Sequence, residues 1–158
     1  ITTVHSYTTD QSLHDQPHKD LRRARAAGQS IVPTTTGAAK ALTKLFPDLN
    51  NVIGGCGIRV PVANGSLCDI TLNVKKKTSI QEGNTLFEKA AKGHLKSILQ
   101  YTQDPIVSID IVGNTHSCVL DSEMTSVIGK MIKIIGWYDN ETGYSSRIID
   151  LMYKMSRK

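Results

Sequence analysis

The sequence contains few aromatic residues, few cysteines and no long hydrophobic run. Phe, Trp and Tyr make up 5% of its 158 residues, which is too few for the stacking platforms that bind single-stranded nucleic acids. The apolar runs are short and interrupted by charged residues, so we expect no membrane-spanning segment. The three cysteines are irregularly spaced and form neither a zinc-binding pattern nor an even-numbered disulfide framework. This usage predicts a protein of the reducing cytoplasm that holds no metal.

Basic residues outnumber acidic ones and give the chain a formal net charge of +5. This excess permits an anionic partner but does not identify one. The densest basic cluster is HKDLRRAR (His18–Arg25), which is compatible with a non-catalytic module that binds nucleic acid or another anion. Such a module would bind in a steeply salt-dependent way, and this distinguishes it from an enzyme with a small anionic substrate.

Hydrophobic patterning predicts an α+β domain, with a largely antiparallel mixed sheet and helices on one face. Helices are expected at Gly37–Phe46, Ser79–Gly93 and Thr142–Lys158. Strands are expected at Ile1–Thr9, Val52–Val62, Gly65–Lys76, Leu95–Tyr101, Ile106–Ile111, Ser117–Leu120 and Met131–Tyr138. For Leu95–Tyr101 the alternative is an extension of the preceding helix. The polar, basic segment Asp10–Ser30 has no clean period and is predicted to be a long ordered loop, a feature that is usually functional.

Two of the predicted helices have an apolar stripe at intervals of three and four residues. In the second helix the stripe consists of Ile80, Leu86, Phe87, Ala90 and Ala91. In the last helix it consists of Tyr144, Ile148, Leu151, Met152 and Met155. Each stripe is expected to pack against another part of the protein.

The first predicted strand carries a histidine, His5, towards its end, and Thr8 follows three residues later. An imidazole with a pKa near neutrality can activate a thiol or hydroxyl group and later exchange that proton with the reacting oxygen. A single histidine in a strand more often has a structural role, so its meaning depends on the other motifs.

Hydroxyl groups and a glycine stand at the start of the first predicted helix, in PTTTGAAK (Pro33–Lys40). Free backbone N–H groups at a helix start bind anions, although the same residues also suit an ordinary N-cap. Arg22, Arg23 and Arg25 lie upstream, and Arg59 stands in a strand otherwise made of Ile, Val and Pro, where a buried cation needs a partner. Threonines, arginines and a helix start together indicate seats for phosphate groups.

A polar turn, WYDNETGYSSR (Trp137–Arg147), joins the last predicted strand to the last helix. Asn140 offers an amide that can pair with a carboxamide, and Tyr144 offers an aromatic face. A helix cap by Asp139, Asn140 or Thr142 is the structural alternative.

Five blocks of the sequence, in this order and at these intervals, resemble one enzyme family over nearly the whole chain. The blocks are TTVHSYT, DLRRARAA, PTTTGAAKA, RVPVANGS and WYDNETGYSSR. They are similar to the phosphorylating glyceraldehyde-3-phosphate dehydrogenases of the bacterial type. The resemblance implies that residues 1–158 are the catalytic domain of such an enzyme, truncated on its N-terminal side.

The resemblance also implies what lies outside the chain. The family's Rossmann NAD-binding domain and the segment with the nucleophilic cysteine are expected to precede Ile1. None of Cys56, Cys68 and Cys118 has the matching sequence context. The fragment alone is therefore expected to be inactive.

In the mechanism that the resemblance implies, a cysteine thiolate attacks the aldehyde of glyceraldehyde 3-phosphate, hydride passes to NAD, and inorganic phosphate releases 1,3-bisphosphoglycerate. His5 keeps the thiol ionised and takes the hemithioacetal proton. The resemblance further implies that the substrate's phosphate is bound by Thr8, Arg23 and Arg59 and that the attacking phosphate is bound by Thr36 and Gly37. It also implies that the nicotinamide is held by Asn140 and Tyr144.

The loop Asp10–Ser30 matches a family loop that crosses the subunit interface, so the resemblance implies a glycolytic homotetramer. Pro17 agrees with NAD as the cofactor rather than NADP, whereas Gln16 replaces a leucine found in many NAD-specific members. The block GGCGIRVP is also a variant, although Arg59, Val60 and Pro61 are unchanged. The nearest alternative is erythrose-4-phosphate dehydrogenase, whose relatives tend to depart from the TGAAK block (Thr36–Lys40) that this chain keeps.

Overall fold

The computed structural model describes residues 1–157, apart from the side chains of residues 39 and 40. The chain divides into two compact units, Ile1–Ala63 and the part from Asn64 onward. The first unit contains three strands and one α-helix, and the second contains four strands and two α-helices. Their pairing is mixed, with three antiparallel and two parallel strand pairs within the units. The α+β fold predicted from the patterning is confirmed.

The first unit is built around strand β3, which pairs with β1 in parallel and with β2 in antiparallel orientation. Its elements are β1 Thr2–Ser6, β2 Val32–Thr34, α1 Ala38–Leu45, a 3₁₀ turn at Pro47–Leu49 and β3 Cys56–Val60. Helix α1 ends before Pro47 because proline has no N–H for the next helical hydrogen bond. The short strand β2 falls between the predicted loop and the first helix, where the patterning gave no strand.

The loop between β1 and β2 is ordered by its own hydrogen bonds, as the sequence predicted. Gln16 N–H donates to Ala24 O at 2.9 Å, and Ala27 N–H donates to Ser12 O at 2.9 Å. The Asp15 carboxylate accepts from Ala26 N–H at 2.8 Å and from Arg25 Nε at 3.1 Å. These bonds hold two stretches of the loop together without regular secondary structure.

The second unit contains a four-stranded sheet in the order β4-β7-β6-β5. Its elements are β4 Ser66–Asn73, α2 Ile80–Lys92, β5 Leu99–Thr102, a 3₁₀ turn at Ser108–Ile111, β6 Cys118–Ile128, β7 Met131–Tyr138 and α3 Thr142–Ser156. The pairs β4/β7 and β6/β7 are antiparallel, and β5/β6 is parallel. Strand β6 has a register shift between Asp121 and Ser126, which frees the intervening residues from the ladder with β7.

Helix α2 begins at a reciprocal capping box, in which Ser79 Oγ accepts from Glu82 N–H at 3.2 Å and the Glu82 carboxylate accepts from Ser79 N–H at 2.9 Å. Phe87, Ala90 and Ala91 of this helix pack on the sheet. The core beneath them consists of Leu99, Leu120, Ile132 and Ile134. The helix predicted at Ser79–Gly93 is therefore confirmed, with Ser79 and Gly93 as its two caps.

The predicted apolar stripe of α2 is wrong at two positions. Ile80 is 47% exposed and Leu86 is 69% exposed. The helix instead approaches the sheet at Gly83, where an added Cβ atom would lie 2.9 Å from Ile132 Cδ1. Gly83 lies in the face of α2 that contacts the sheet. This face is therefore rotated relative to the face predicted from the apolar residues alone.

The strand predicted at Ile106–Ile111 is also wrong, because this segment forms a loop and the 3₁₀ turn. The Asp110 carboxylate accepts from Val107 N–H at 2.8 Å, which closes the turn locally. Only Ile111 of this run is fully buried, while Ile109 is 72% exposed. The next strand, in contrast, is longer than predicted and continues to Ile128.

Helix α3 begins at Thr142 as predicted, and its predicted last residue, Lys158, lies outside the described residues. All five members of its predicted apolar stripe are exposed, at 42% to 72%. Within residues 1–157, no helix is long and apolar enough to cross a membrane.

Gly65 has a positive φ and lies against the backbone of Ser108, so it has no room for a side chain. Its φ is +87°, and an added Cβ atom would lie 2.1 Å from Ser108 O. We expect Gly65→Ala to lower the free energy of unfolding by about 3 kcal/mol or more, because strain and a backbone clash combine. Urea denaturation measures this loss.

The matched control is Gly129→Ala, since Gly129 has φ +63° but no atom within 4 Å of the added Cβ. Strain alone should lower its stability by about 1 kcal/mol. Equal losses in the two variants would contradict the close approach at Gly65.

Candidate functional site

His5 and Arg59 are in contact within the first unit. The parallel pairing of β1 and β3 sets them opposite each other. Arg59 Nη1 contacts His5 Nδ1 and lies 3.2 Å from Ser6 O, and Nδ1 lies 2.7 Å from the same oxygen. Because an arginine N–H can only donate, Nδ1 either donates its hydrogen to Ser6 O or accepts one from Arg59, according to the tautomer. In the tautomer with its hydrogen on Nδ1, Nε2 is the basic nitrogen of the ring.

The pKa of His5 lies below its ordinary value. Burial is the main cause, and the positive charge of Arg59 adds to it, while the hydrogen bond to Ser6 O acts in the opposite direction. The imidazole is therefore neutral near pH 7 in this structure. A neutral imidazole is the form that acts as a general base.

Thr8 and Arg23 lie close to the start of the loop, and both are engaged by it. Thr8 N–H donates to Gln11 Oε1 at 3.3 Å, and Gln11 N–H donates to Thr8 O at 2.9 Å. Arg23 forms ion pairs with Asp10 and with Asp20, the latter at 3.3 Å. An anion that binds Arg23 must therefore compete with two carboxylates.

Thr36 and Gly37 stand at the start of α1, as predicted. Gly37 is the N-cap residue and is exposed, and Thr36 Oγ1 accepts from Ala38 N–H at 3.2 Å. Two features of the sequence thus meet at one helix start, a hydroxyl and an exposed glycine whose backbone an oxyanion can approach.

In the second unit, the Asp139 carboxylate accepts four hydrogen bonds. Thr142 N–H and Glu141 N–H donate to Oδ1 at 2.7 and 2.8 Å. Asn64 Nδ2 and Gly113 N–H donate to Oδ2 at 2.8 and 2.9 Å. Of the three capping residues that the sequence left open, Asp139 is the one whose side chain binds the first N–H groups of α3.

These bonds lower the pKa of Asp139 far below its ordinary value. Burial by itself raises it, but the three backbone N–H groups and the Asn64 amide favour the charged form more strongly. The carboxylate is 3% exposed, so it is a buried charge held by hydrogen bonds.

Asn140 is fixed by the same network. Its backbone N–H donates to Asn64 Oδ1 at 3.3 Å, and its side-chain Oδ1 accepts from Ser66 Oγ at 2.5 Å. The amide group is thereby held in one orientation, with Oδ1 directed at Ser66 Oγ. Tyr144, one turn later on α3, is 72% exposed and offers its ring to solvent.

Sequence reasoning missed Asn64 and Ser66, which lie about 75 residues before the turn that they hold. The signal was the dipeptide Asn64-Gly65, a turn signature directly before a strand. It pointed to a turn but gave no indication of which distant residue the asparagine would bind.

None of the three cysteines forms a disulfide within the described residues. Burial raises the pKa of Cys118 to about 11, with a smaller contribution from Cys68, so this thiol is protonated at neutral pH. Cys56 is in register with Thr2, three residue pairs away from the His5–Arg59 pair.

Comparison with known proteins assigns this architecture to a class of enzyme domain. Residues 1–140 match the family described as glyceraldehyde 3-phosphate dehydrogenase, C-terminal domain. The chain therefore belongs to the glyceraldehyde-3-phosphate dehydrogenase family, and the resemblance in its five sequence blocks is confirmed.

Curated relatives agree with this assignment. The chain is 53% identical over 151 residues to glyceraldehyde-3-phosphate dehydrogenase 1 of Streptomyces avermitilis, covering 96% of this chain and 45% of that protein. It is 50% identical over 159 residues to glyceraldehyde-3-phosphate dehydrogenase 1 of Bacillus cereus, covering 100% of this chain and 48% of that protein. The chain thus spans just under half the length of these relatives.

The Asp139 network predicts a pH-dependent contribution to stability. Because the pKa of this carboxyl is lowered on folding, its contribution is complete above the ordinary value of 3.8 and is lost as the pH falls below it. We expect Asp139→Asn to lower the free energy of unfolding by about 2–4 kcal/mol at pH 7, because two of the four donors lose their acceptor. Urea denaturation at pH 7 and pH 3 measures the difference.

The loss should be smaller at pH 3, where the wild-type carboxylate has begun to lose its advantage. Asp150→Asn is the control, since Asp150 is an exposed carboxylate paired with Arg147 and should change stability by about 0.5 kcal/mol or less. An equal loss for Asp139→Asn at both pH values would exclude the charge as the cause.

Proposed function

We propose that this chain is the catalytic part of a cytoplasmic glycolytic enzyme that oxidises and phosphorylates glyceraldehyde 3-phosphate to 1,3-bisphosphoglycerate. The observation that carries this proposal is His5, whose half-buried imidazole contacts Arg59 and has a pKa lowered by burial and by the charge of Arg59, so that it is neutral and can act as a base. The names of the two relatives support the same reaction. We place the nucleophilic cysteine and the NAD-binding domain outside residues 1–158.

In the proposed reaction, His5 accepts the proton of the cysteine thiol, and the thiolate adds to the aldehyde carbon. The resulting oxyanion takes this proton back from His5 and becomes the hydroxyl group of a hemithioacetal. His5 Nε2 accepts the hydroxyl proton of that adduct while its C–H hydrogen leaves as hydride, and a thioester results. Inorganic phosphate then attacks the thioester carbonyl, and the thiolate leaves as the acyl phosphate is released. His5 returns its proton to solvent before the next cycle.

NAD, when bound, accepts the hydride. Asn140 would hold its carboxamide, because the hydrogen bonds from Ser66 Oγ to Asn140 Oδ1 and from Asn140 N–H to Asn64 Oδ1 fix the position of this residue. Tyr144 would lie beside the nicotinamide ring with its exposed face. We favour NAD over NADP because of Pro17, as the resemblance implies.

The phosphate seats are proposed from charge and position. The substrate's phosphate would be bound by Arg59, Thr8 and Arg23. To bind it, Arg23 would give up its ion pair with Asp10 or Asp20. Thr36 and the exposed Gly37 would bind the attacking phosphate. The loop Asp10–Ser30 would cross a subunit interface, which gives a homotetramer.

The alternative of a nucleic-acid module is weakened by the ion pairs of the basic cluster. Arg23 binds Asp10 and Asp20, and Arg25 binds Asp15. Much of the positive charge that would attract a polyanion is therefore neutralised within the loop itself. The alternative of an erythrose-4-phosphate dehydrogenase is tested by comparing how fast the complete enzyme turns over erythrose 4-phosphate and glyceraldehyde 3-phosphate.

His5→Asn in the complete enzyme should slow the chemical step by about 10²–10⁴-fold, the effect of losing a positioned base. The pH dependence of cysteine alkylation should also shift, because the thiol loses its imidazole partner. Stopped-flow measurement of NADH formation and iodoacetamide inactivation give the two readouts.

The control is His94→Asn, an exposed histidine that follows α2 in the second unit, which should leave both readouts unchanged. If His5→Asn alkylates like the wild-type enzyme across the pH range, the role of His5 is wrong.

Arg59→Ala should weaken the use of glyceraldehyde 3-phosphate far more than that of unphosphorylated glyceraldehyde. It removes a charge-assisted contact to the phosphate, with a loss of about 1.5–3 kcal/mol. It should also move the acidic limb of the pH–rate profile to higher pH, because the Arg59 charge holds the pKa of His5 down. Steady-state kinetics with both aldehydes, with Arg157→Ala as the control, measure these effects. Equal losses for the two substrates would make Arg59 a structural residue.

A further inference from the structure

Two cysteines of the second unit stand on either side of one glycine, away from the proposed active site. Cys68 on β4 pairs directly with Gly136 on β7, and Leu120 on β6 pairs with the same glycine from the other side. Directly opposed residues of neighbouring strands point to the same face, and so do residues two apart on one strand. Cys68 and Cys118 therefore share one face of the sheet, the face on which Cys118 packs under helix α2.

Gly136 leaves the space between the two thiols open because it has no side chain. A Cβ atom added at Gly136 would lie 2.6 Å from Cys118 Sγ, so this sulfur occupies the space that a Gly136 side chain would fill. The Cβ atoms of directly opposed residues lie about 4.5–5.5 Å apart, which sets the distance of Cys68 from the same point. Burial is the main cause of the raised pKa of Cys118, and the Cys68 thiol raises it further, as expected of neighbouring groups.

The distance between the strands distinguishes a disulfide from a metal bridge. Strands β4 and β6 are both neighbours of β7, so their backbones lie roughly 9–10 Å apart. A disulfide requires Cα atoms within about 7 Å of each other, which excludes a bond between Cys68 and Cys118. A metal ion between the two sulfurs adds two bonds of about 2.3 Å each and can span the larger gap.

The ligands available favour a soft ion of low coordination number. Within the described residues no group of three or more His, Cys, Asp or Glu side chains could hold a metal, so Zn²⁺ would lack half of its usual four ligands. Thiolates select Cu(I), which is stable with two sulfur ligands. Both cysteines are partly exposed, so an ion can reach them. Arg147 Nη1 lies 3.3 Å from Ser117 Oγ, one residue before Cys118, and brings positive charge near an anionic complex.

We propose that Cys68 and Cys118 bind one Cu(I) ion between their two sulfurs. The ion displaces both thiol protons to solvent and forms two Cu–S bonds, which leaves a complex with one negative charge, and no group is oxidised or reduced. The sequence predicted no metal because these two cysteines are far apart along the chain and come together only across β7. The inference does not rest on the proposed function.

The test is an anaerobic titration of the full 158-residue chain with Cu(I), in competition with the coloured Cu(I) chelator bathocuproine disulfonate. We expect the chain to withdraw one Cu(I) ion from the chelator, and copper X-ray absorption to show two sulfur ligands. An equal concentration of Zn²⁺ should leave the copper bound. Failure to compete with the chelator, a single sulfur ligand, or displacement by Zn²⁺ would each overturn the proposal.

Cysteine variants locate the site. Cys68→Ala and Cys118→Ala should each weaken Cu(I) binding by about 100-fold or more, because one of the two sulfur ligands is lost. The matched control is Cys56→Ala, which removes an exposed thiol of the first unit and should leave the affinity unchanged. Unchanged affinity in Cys68→Ala or Cys118→Ala, or an equal loss in all three variants, would overturn the proposal.

Gly136→Ala tests the geometry while it keeps both sulfur ligands. The added methyl group would displace Cys118 Sγ from its place over the glycine, and should weaken Cu(I) binding by about tenfold or more. Unchanged affinity in the folded variant would contradict a bridge across β7. If Gly136→Ala fails to fold, the cysteine variants decide.

Discussion

The buried carboxylate of Asp139 is the interaction on which most of the second unit's site depends. It joins three segments that are far apart in sequence, namely the turn at Asn64, the turn at Gly113 and the start of α3. A carboxylate with four donors is stable as a buried charge, whereas one with fewer would favour protonation. The orientation of Asn140 follows from it, because Asn64 binds both Asp139 and the backbone of Asn140. The amide proposed to hold a nicotinamide is thus positioned by residues that need not touch the cofactor.

In the first unit, the surroundings of His5 favour the neutral form of its side chain, whereas those of Asp139 favour the charged form. Burial and Arg59 both favour the neutral form of His5. In the proposed reaction, a thiolate beside His5 would oppose these effects and raise the pKa of the imidazole again. The imidazole would therefore take up a proton when the thiolate forms and be ready to lose it once the thiolate is consumed. Arg59 limits how strongly the proton is held, while its charge also suits a phosphate group.

The sequence predicted the features that depend on local pattern. Helix α2 and its two caps, the start of α3 and the ordered loop followed from periodicity, capping residues and the absence of a period. The predictions that failed concerned features that depend on specific contacts, which composition does not reveal. Ile106–Ile111 has the composition of a strand, but the Asp110 carboxylate accepts from Val107 N–H and closes a turn. Likewise, Arg23 could be recognised as a candidate for an anion, but its pairing with Asp10 and Asp20 depends on how the loop folds. The link between Asn64 and Asp139 spans 75 residues, and no local rule detects it.

Helix α3 is fixed by contacts within its own unit at its start but not along its apolar stripe. Its first two turns are held by Asp139, which accepts from Thr142 N–H, and by Arg147, which donates to Ser97 O at 2.8 Å. Gly143 leaves no room for a side chain beside His116 O. Beyond these contacts the apolar stripe from Ile148 to Met155 is exposed, and leaving such side chains in water forfeits roughly 1.5–3 kcal/mol each. The stripe therefore requires a covering surface, for which the proposed dinucleotide-binding domain is the candidate. The hydrogen bonds of Asn140 to Asn64 and Ser66 lie before this stripe, so they hold the amide whether or not the stripe is covered, whereas the ring of Tyr144 is exposed to solvent.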